Sequence, residues 1–119
     1  MNSVNLSEKF ALFNDYWAPH IVGQLNGQLL KLAKFKGEFI WHRHEQEDEL
    51  FLVVKGEISI AFRDKTVTVK AGEFYIVPKG VEHKPSAQHE AHVLLLEPVT
   101  TQQTGGMDHT MLVKEQPWI

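Results

Sequence analysis

The chain contains no cysteine among its 119 residues, which excludes a disulfide framework, a thiolate zinc site and a cysteine nucleophile. No apolar run approaches the roughly 20 residues that a membrane-spanning helix needs. The first ten residues, MNSVNLSEKF, have neither the basic stretch nor the apolar stretch of a signal peptide. From these absences we expect a cytoplasmic protein that has no membrane partner.

A strong excess of charge of either sign is also missing. The formal net charge is −3 at pH 7, which gives no electrostatic reason to expect nucleic acid as a partner. Apolar residues make up 43% of the chain and charged residues 23%, as in ordinary globular proteins. A chain of this length has the size of one domain, so we expect residues 1–119 to form a single domain.

Short β-type runs separated by turn residues fill residues 18–98. They amount to about nine strands at the spacing that is typical of a sandwich or barrel. Asn26-Gly27 favours a tight hairpin turn, because that turn needs residues that tolerate a positive φ. TVTVK and EISIAF alternate apolar and polar residues, as strands with one wet face do. We therefore predict an all-β fold with its barrel core at about 18–98.

The two ends of the chain have different patterns. Leu6, Phe10 and Phe13 are spaced as on one face of a short amphipathic helix, for which Ser7 is the predicted cap. In residues 99–119 the polar, glycine-rich segment TTQQTGG follows Val99, and this region is predicted to form a loop and tail. The last stretch, TMLVKEQPWI, is predicted to add an edge strand or to dock on a second copy.

Four side chains are candidates for a metal site. His42 and His44 are predicted to end a strand, where residues i and i+2 point to one face. Glu49 opens the next strand, and Asp48 is the adjacent alternative if the intervening turn is one residue shorter. His83 follows a later turn, on a strand that a closed barrel would bring near. Three imidazoles and one carboxylate suit Fe(II), Mn(II), Ni(II), Co(II), Zn(II) or Cu(II).

The spacing around these residues follows two motifs, Gly37-x4-His42-x-His44-x4-Glu49-x6-Gly56 and Gly72-x5-Pro78-x-Gly80-x2-His83-x3-Ala87. Both closely resemble the paired motifs of the cupin superfamily, although Gly37 and His42 are one residue closer than usual and Ala87 replaces the usual Asn. The resemblance implies a double-stranded antiparallel β-helix, or jelly-roll barrel. It also implies one divalent metal ion bound by His42, His44, Glu49 and His83.

The resemblance leaves the reaction open, because function belongs to the site and not to the fold. The chain looks most similar to small single-domain cupins named mannose-6-phosphate isomerase-like. We expect a metal-dependent enzyme that acts on a small polar or aromatic molecule, with dioxygenase- or isomerase-like chemistry. The alternatives are a non-catalytic binding or sensor module and a metal-stabilised structural dimer. No catalytic residue is assigned, and a homodimer is expected, since cupins commonly pair through their terminal strands.

The sequence also predicts where several residues outside the metal ligands lie. Phe51 and Val53 lie on the same face of the predicted strand as Glu49 and are predicted to line the pocket beneath the metal. Trp41 is predicted to face away from the metal. His92 is predicted to be exposed, with a place beside the site as the alternative. The motif glycines are predicted to form turns, and since no predicted helix follows them, no nucleotide cofactor is expected.

Overall fold

The computed structural model describes residues 2–119, which form one short helix and seven strands. The helix is α1 (Leu6–Phe10), and the strands are β1 (His20–Leu25), β2 (Gln28–Glu38), β3 (Glu49–Lys55), β4 (Glu57–Ala61), β5 (Thr66–Lys70), β6 (Phe74–Val77) and β7 (Lys84–Pro98). All pairings among these strands are antiparallel. The predicted all-β fold with a short N-terminal helix is confirmed.

β7 pairs with three other strands, β2, β3 and β4. The main sheet has the order β1-β2-β7-β3-β6, while β4 pairs with both β5 and β7. The N-terminal part of β7 pairs with β4 and the far end of β2, and its C-terminal part lies between β2 and β3. The register of β2 against β7 shifts between Phe35 and Gly37, and such a bulge lets one strand bend from one layer into the next.

The prediction of about nine strands was wrong in two places, both next to the histidines. The strand that was predicted to end at His42 and His44 does not form: β2 runs on through the Gly37 bulge to Glu38, and residues 39–41 lie outside the strands. The strand predicted at His83 is not a separate strand either, because β7 begins directly after this residue, at Lys84, and continues to Pro98. Sequence periodicity does not show where one long strand changes its partner.

The N-terminal segment packs on the outer face of the sheet. Asn5 and not Ser7 caps α1, because its Oδ1 accepts a hydrogen bond of 2.9 Å from the Glu8 N–H. Phe10 and Phe13 are buried against Leu32 of β2, as the apolar spacing predicted, although Phe13 lies beyond the end of the helix. This cluster is separate from the barrel core. The core is filled by every second residue, the inward-facing ones, of β2, β3 and β7.

The C-terminal tail returns to the barrel. Pro117 accepts a hydrogen bond of 2.7 Å from the Ile21 N–H, and Trp118 forms an isolated bridge to β1, so the tail pairs with β1 within the chain but does not form the predicted edge strand. The loop at residues 99–106 packs on the protein, with Thr104 fully buried. Among the described residues, no helix has the length and apolar character to cross a membrane.

Candidate metal centre

His42 and His83 face each other across a single backbone bridge. The N–H of each residue donates to the carbonyl of the other, at 3.0 and 2.9 Å. His42 therefore does not end a regular strand as predicted; one residue pair outside the strands holds it in place. The pairing brings the two imidazole rings to 4.4 Å between centroids, so residues from two distant motifs share one point in the barrel.

The same local hydrogen bond orients both rings. Nδ1 of His42 lies 2.9 Å from the Ile40 carbonyl, and Nδ1 of His83 lies 2.9 Å from the Val81 carbonyl. A carbonyl oxygen only accepts, so Nδ1 carries the proton in each ring and Nε2 keeps its lone pair. A backbone carbonyl on one ring nitrogen commonly fixes the tautomer of a metal-binding histidine through the other.

His44 and Glu49 complete the cluster. Oε1 of Glu49 lies 3.3 Å from Nε2 of His44 and 3.6 Å from Nε2 of His83. One nitrogen or oxygen atom from each of the four residues lies within 4.8 Å of all the others. Asp48, the sequence alternative to Glu49, points elsewhere and accepts a hydrogen bond of 2.8 Å from the Lys79 N–H.

Several polar atoms in this cluster are buried without a hydrogen-bond partner among the described residues. They are Nδ1 and Nε2 of His44, Nε2 of His83 and Oε1 of Glu49. Buried polar atoms in folded proteins are nearly always paired, and each exception needs an explanation. Three imidazoles and a carboxylate that converge with their donor atoms free have the composition of a divalent transition-metal site. The residues present therefore fit a metal ion.

The protonation states of the cluster residues also suit metal binding. Burial, with a smaller contribution from His83, lowers the pKa of His42 to about 4, which keeps the ring neutral. Burial raises the pKa of Glu49, but the neighbouring side chains of Glu97, His44 and His83 outweigh it and hold that pKa well below its ordinary value. Neutral imidazole and ionised carboxylate are the forms that bind metals.

A small cavity of about 30 Å³ opens beside the cluster. Its polar wall is formed by His42, Glu49, Glu97 and Gln103. The rest is mainly aromatic, with Phe51 as predicted, but fully buried Val53 packs in the core instead. The lining rings are those of Trp17, Phe35, Phe39 and Phe51.

Trp17 and the 99–106 loop hold the cavity wall in place. The backbone N–H and the indole N–H of Trp17 donate to the carbonyls of Lys34 and Lys36, each at 2.9 Å. The side chain of Gln103 lines the cavity and donates to the Trp17 carbonyl. Gly105 packs so closely on Arg43 that a Cβ would lie 2.1 Å from its carbonyl oxygen, so the loop lies directly against the segment that carries His42 and His44.

Other predicted residues lie away from the cluster. Trp41 faces outward as predicted, where the Arg63 guanidinium lies 3.8 Å from its ring centroid. His92 stacks on Phe10 at 4.5 Å and contacts Glu90 at 2.8 Å, which places it on the outer face of the sheet. The alternative that His92 sits beside the site is therefore wrong.

Sequence reasoning missed several residues that shape the site. Lys31 and Glu97 form a buried ion pair inside the barrel, with Glu97 in the cavity wall. Burial and the charge of Glu49 raise the pKa of Glu97 well above its ordinary value, against the opposing effect of Lys31. The only sign of this in the sequence is the alternation of β2, which places Lys31 on the same inward face as Leu29 and Ala33.

Comparisons with known proteins agree with this architecture. The sequence model of the family described as Cupin domain matches residues 29–98. YdbB of Bacillus subtilis (strain 168) is 34% identical over 97 residues, which are 81% of this chain and 80% of that protein. A cupin-2 domain containing protein from Shewanella frigidimarina NCIMB 400 is 47% identical, with a TM-score of 0.79 over 80% of this chain and 93% of that chain.

A more distant likeness concerns the fold alone. Hydroquinone 1,2-dioxygenase PnpCD, solved with Cd²⁺ and 4-hydroxybenzonitrile, has a TM-score of 0.66 at 18% identity, over 79% of this chain and 71% of that chain. These matches give no support to the expected likeness to mannose-6-phosphate isomerase-like proteins. The match over more than half of the sequence, together with the barrel and its two histidine motifs, shows that the chain belongs to the cupin family.

Proposed function

We propose that the chain binds one divalent transition metal through His42, His44, Glu49 and His83, and that it is an enzyme for a small aromatic substrate. The observation that carries the proposal is the cluster of buried, unpartnered donor atoms within 4.8 Å of one another. A bound ion supplies a Lewis acid for an oxygen-bearing substrate, and iron in addition supports chemistry with O₂.

The walls of the cavity favour an aromatic substrate over a sugar phosphate. Four aromatic rings line it, and its polar groups beyond the metal ligands are those of Glu97 and Gln103. None of the described lining residues is Lys or Arg, the side chains that usually bind phosphate. A flat ring with one or two hydroxyl groups matches the chemistry of this lining, although the cavity of about 30 Å³ must widen to admit it. The fold likeness to a hydroquinone 1,2-dioxygenase points to the same substrate class.

Oxygen consumption by metal-loaded protein tests the proposal. The chain is loaded anaerobically with Fe(II) or Mn(II), its metal content is measured, and catechol and hydroquinone are then added in air. We expect oxygen uptake with loss of the phenol, and none from a matched His44→Leu sample that lacks a ligand. Full metal occupancy without turnover of either phenol would overturn the enzymatic part of the proposal.

A non-catalytic binding module is the second candidate. The observation that favours it is that Glu97, the one carboxyl in the cavity wall besides the ligand Glu49, is already paired with Lys31. The pairing occupies one oxygen of this carboxyl group. No other acidic or basic side chain besides the metal ligands lines the cavity among the described residues, so few groups are available for proton transfer to a bound molecule. The same samples separate the candidates: calorimetric binding of hydroquinone to the metal-loaded protein without oxygen uptake would favour the binding module.

We propose in addition that two copies associate through β6, in the cytoplasm. β6 pairs on one side only, with β3, and exposes Phe74 and Ile76. An open strand edge with exposed apolar residues is a ready site for pairing with a second copy. In the terminal segments that were predicted to dimerise, Phe10 and Phe13 are buried within the chain, whereas Leu12 and Trp118 are exposed.

Light scattering tests the association. The wild-type chain is expected to have the mass of a dimer and the Phe74→Glu/Ile76→Lys variant the mass of a monomer, because two charges then face the partner. Leu12→Glu, at an exposed apolar residue far from β6 in the chain, is the matched control and should stay dimeric. A monomeric wild-type protein would refute the pairing.

A further inference from the structure

A lysine and a glutamate are buried together inside the barrel. Nζ of Lys31 lies 2.8 Å from Oε1 of Glu97, and both side chains are 2% exposed. Lysine and glutamate are almost never fully buried unless they are paired. Removing two charges from water costs several kcal/mol per ion, and apolar residues of similar volume often serve stability equally well. Stability alone therefore does not account for this pair.

The strand register places the pair in line with a proposed metal ligand. β2, β7 and β3 are neighbours in the sheet, and Leu29 of β2 lies opposite Glu97 of β7. Leu50 of β3 lies opposite Leu96 of β7, so the same register continued by one residue brings Glu49 beside Glu97. Lys31, Glu97 and Glu49 thus follow one another across three adjacent strands, on the inner face of the barrel.

The contacts of Glu97 are divided between these two neighbours. Its Oε1 pairs with Lys31, and its Oε2 is buried without a hydrogen-bond partner among the described residues. The register of β3 against β7 places this carboxyl group beside that of Glu49. Both carboxyl groups line the cavity next to His42. Glu97 therefore links a fixed cation to the only carboxylate of the histidine cluster.

We propose that Glu97, held by Lys31, is a positioning residue that fixes the carboxylate of Glu49 for metal binding. The inference rests on the metal site proposed above and adds a role for two residues outside the ligand set. A carboxylate on a long side chain can turn about its terminal torsion, and a buried neighbour that is itself held in place restricts it to the orientation that faces the histidines. Groups that hold ligands in this way typically account for 10–100-fold in metal affinity.

Titration with Co(II), followed by its visible absorption, tests the inference without an activity assay. The Lys31→Met/Glu97→Leu variant replaces the ion pair with apolar residues of similar size, so the barrel remains filled. We expect its Co(II) dissociation constant to rise about 10–100-fold, with a changed absorption spectrum. Glu97→Gln should restore most of the affinity, since its amide can accept from Lys31 and donate to Glu49.

Two further variants give a second test of Glu97 and a control for the loss of a buried lysine. Glu97→Asp keeps the carboxyl group but withdraws it by one methylene, and it should weaken Co(II) binding about 10-fold even if the apolar pair does not fold. Lys34→Met is the matched control, because Lys34 is also a buried lysine of β2 but bonds to the Phe13 carbonyl outside the barrel core. Its dissociation constant should not change.

The outcomes distinguish the two proposals. Wild-type affinity and spectrum in both the Asp variant and the Gln variant would overturn the positioning role and leave the metal site intact. Failure of the wild-type chain to bind Co(II) would overturn the metal site itself. Weakened binding in Lys34→Met to the same degree would also contradict the inference, since the effect would then follow from the loss of any buried lysine.

Discussion

Replacement of His44 by leucine is expected to abolish metal binding and to raise the melting temperature of the metal-free protein. Both ring nitrogens of His44 are buried without a partner, and an unsatisfied buried polar group costs about 1–3 kcal/mol. Leucine removes that cost at similar volume and with no donor atom for a metal. A binding residue that reduces the stability of the empty fold is the expected behaviour of a functional site.

His83→Leu is the matched comparison, because it removes a ring from the same cluster that does have a structural hydrogen bond. Its Nδ1 bonds to the Val81 carbonyl, so this variant should also lose the metal but should melt at a lower temperature. His89→Leu, at an exposed position, should leave both properties unchanged. Calorimetric melting in chelator and after metal addition measures all three. A metal-induced rise in the melting temperature of His44→Leu would contradict the assignment.

The metal-free protein is also expected to lose stability as the pH falls from about 6.5 to about 4. Burial lowers the pKa of His42 to about 4, whereas the unfolded chain takes up this proton near pH 6.5. Between these values the unfolded state binds more protons, so acid favours unfolding, and below the lower value the difference is constant. The shift corresponds to about 3 kcal/mol over the window.

Urea denaturation in chelator measures this dependence. The wild-type chain and His42→Gln are unfolded at several values of pH, and the difference between their free energies of unfolding isolates His42 from the titrating carboxyl groups. The wild-type stability should fall relative to the variant below pH 6.5. Bound metal should be lost over an acid range as well, because its ligands must be neutral imidazoles. Parallel profiles for the two proteins would contradict the low pKa of His42.

The sequence motifs predicted the members of the cluster but not how each is held. Alternation placed Glu49 on the inner face of β3, where the structure has it, because a one-residue slip would reverse every side chain of that strand. His42 and His83 were expected on strands, and instead they form an isolated bridge. Local patterns carry little information on such single pairings between distant segments.

The residues that sequence reasoning missed are those whose role depends on long-range contacts. Lys31 is the charged residue of an otherwise apolar inner face, and only the packing of β7 against β2 shows that Glu97 balances it. Trp17 and Gln103 are far apart in the chain and come together at the cavity through one hydrogen bond. Nothing in a polar, glycine-rich tail indicates which side chain it will place beside an aromatic wall.

Anomalous diffraction from crystals of the Co(II)-loaded chain tests the central claim most directly. Data collected on both sides of the cobalt absorption edge locate the ion independently of any assumption about its ligands. We predict one strong peak per chain, in contact with His42, His44, Glu49 and His83. A peak at other side chains, or none at a Co(II) concentration that saturates the protein in solution, would contradict the metal centre proposed for this cupin.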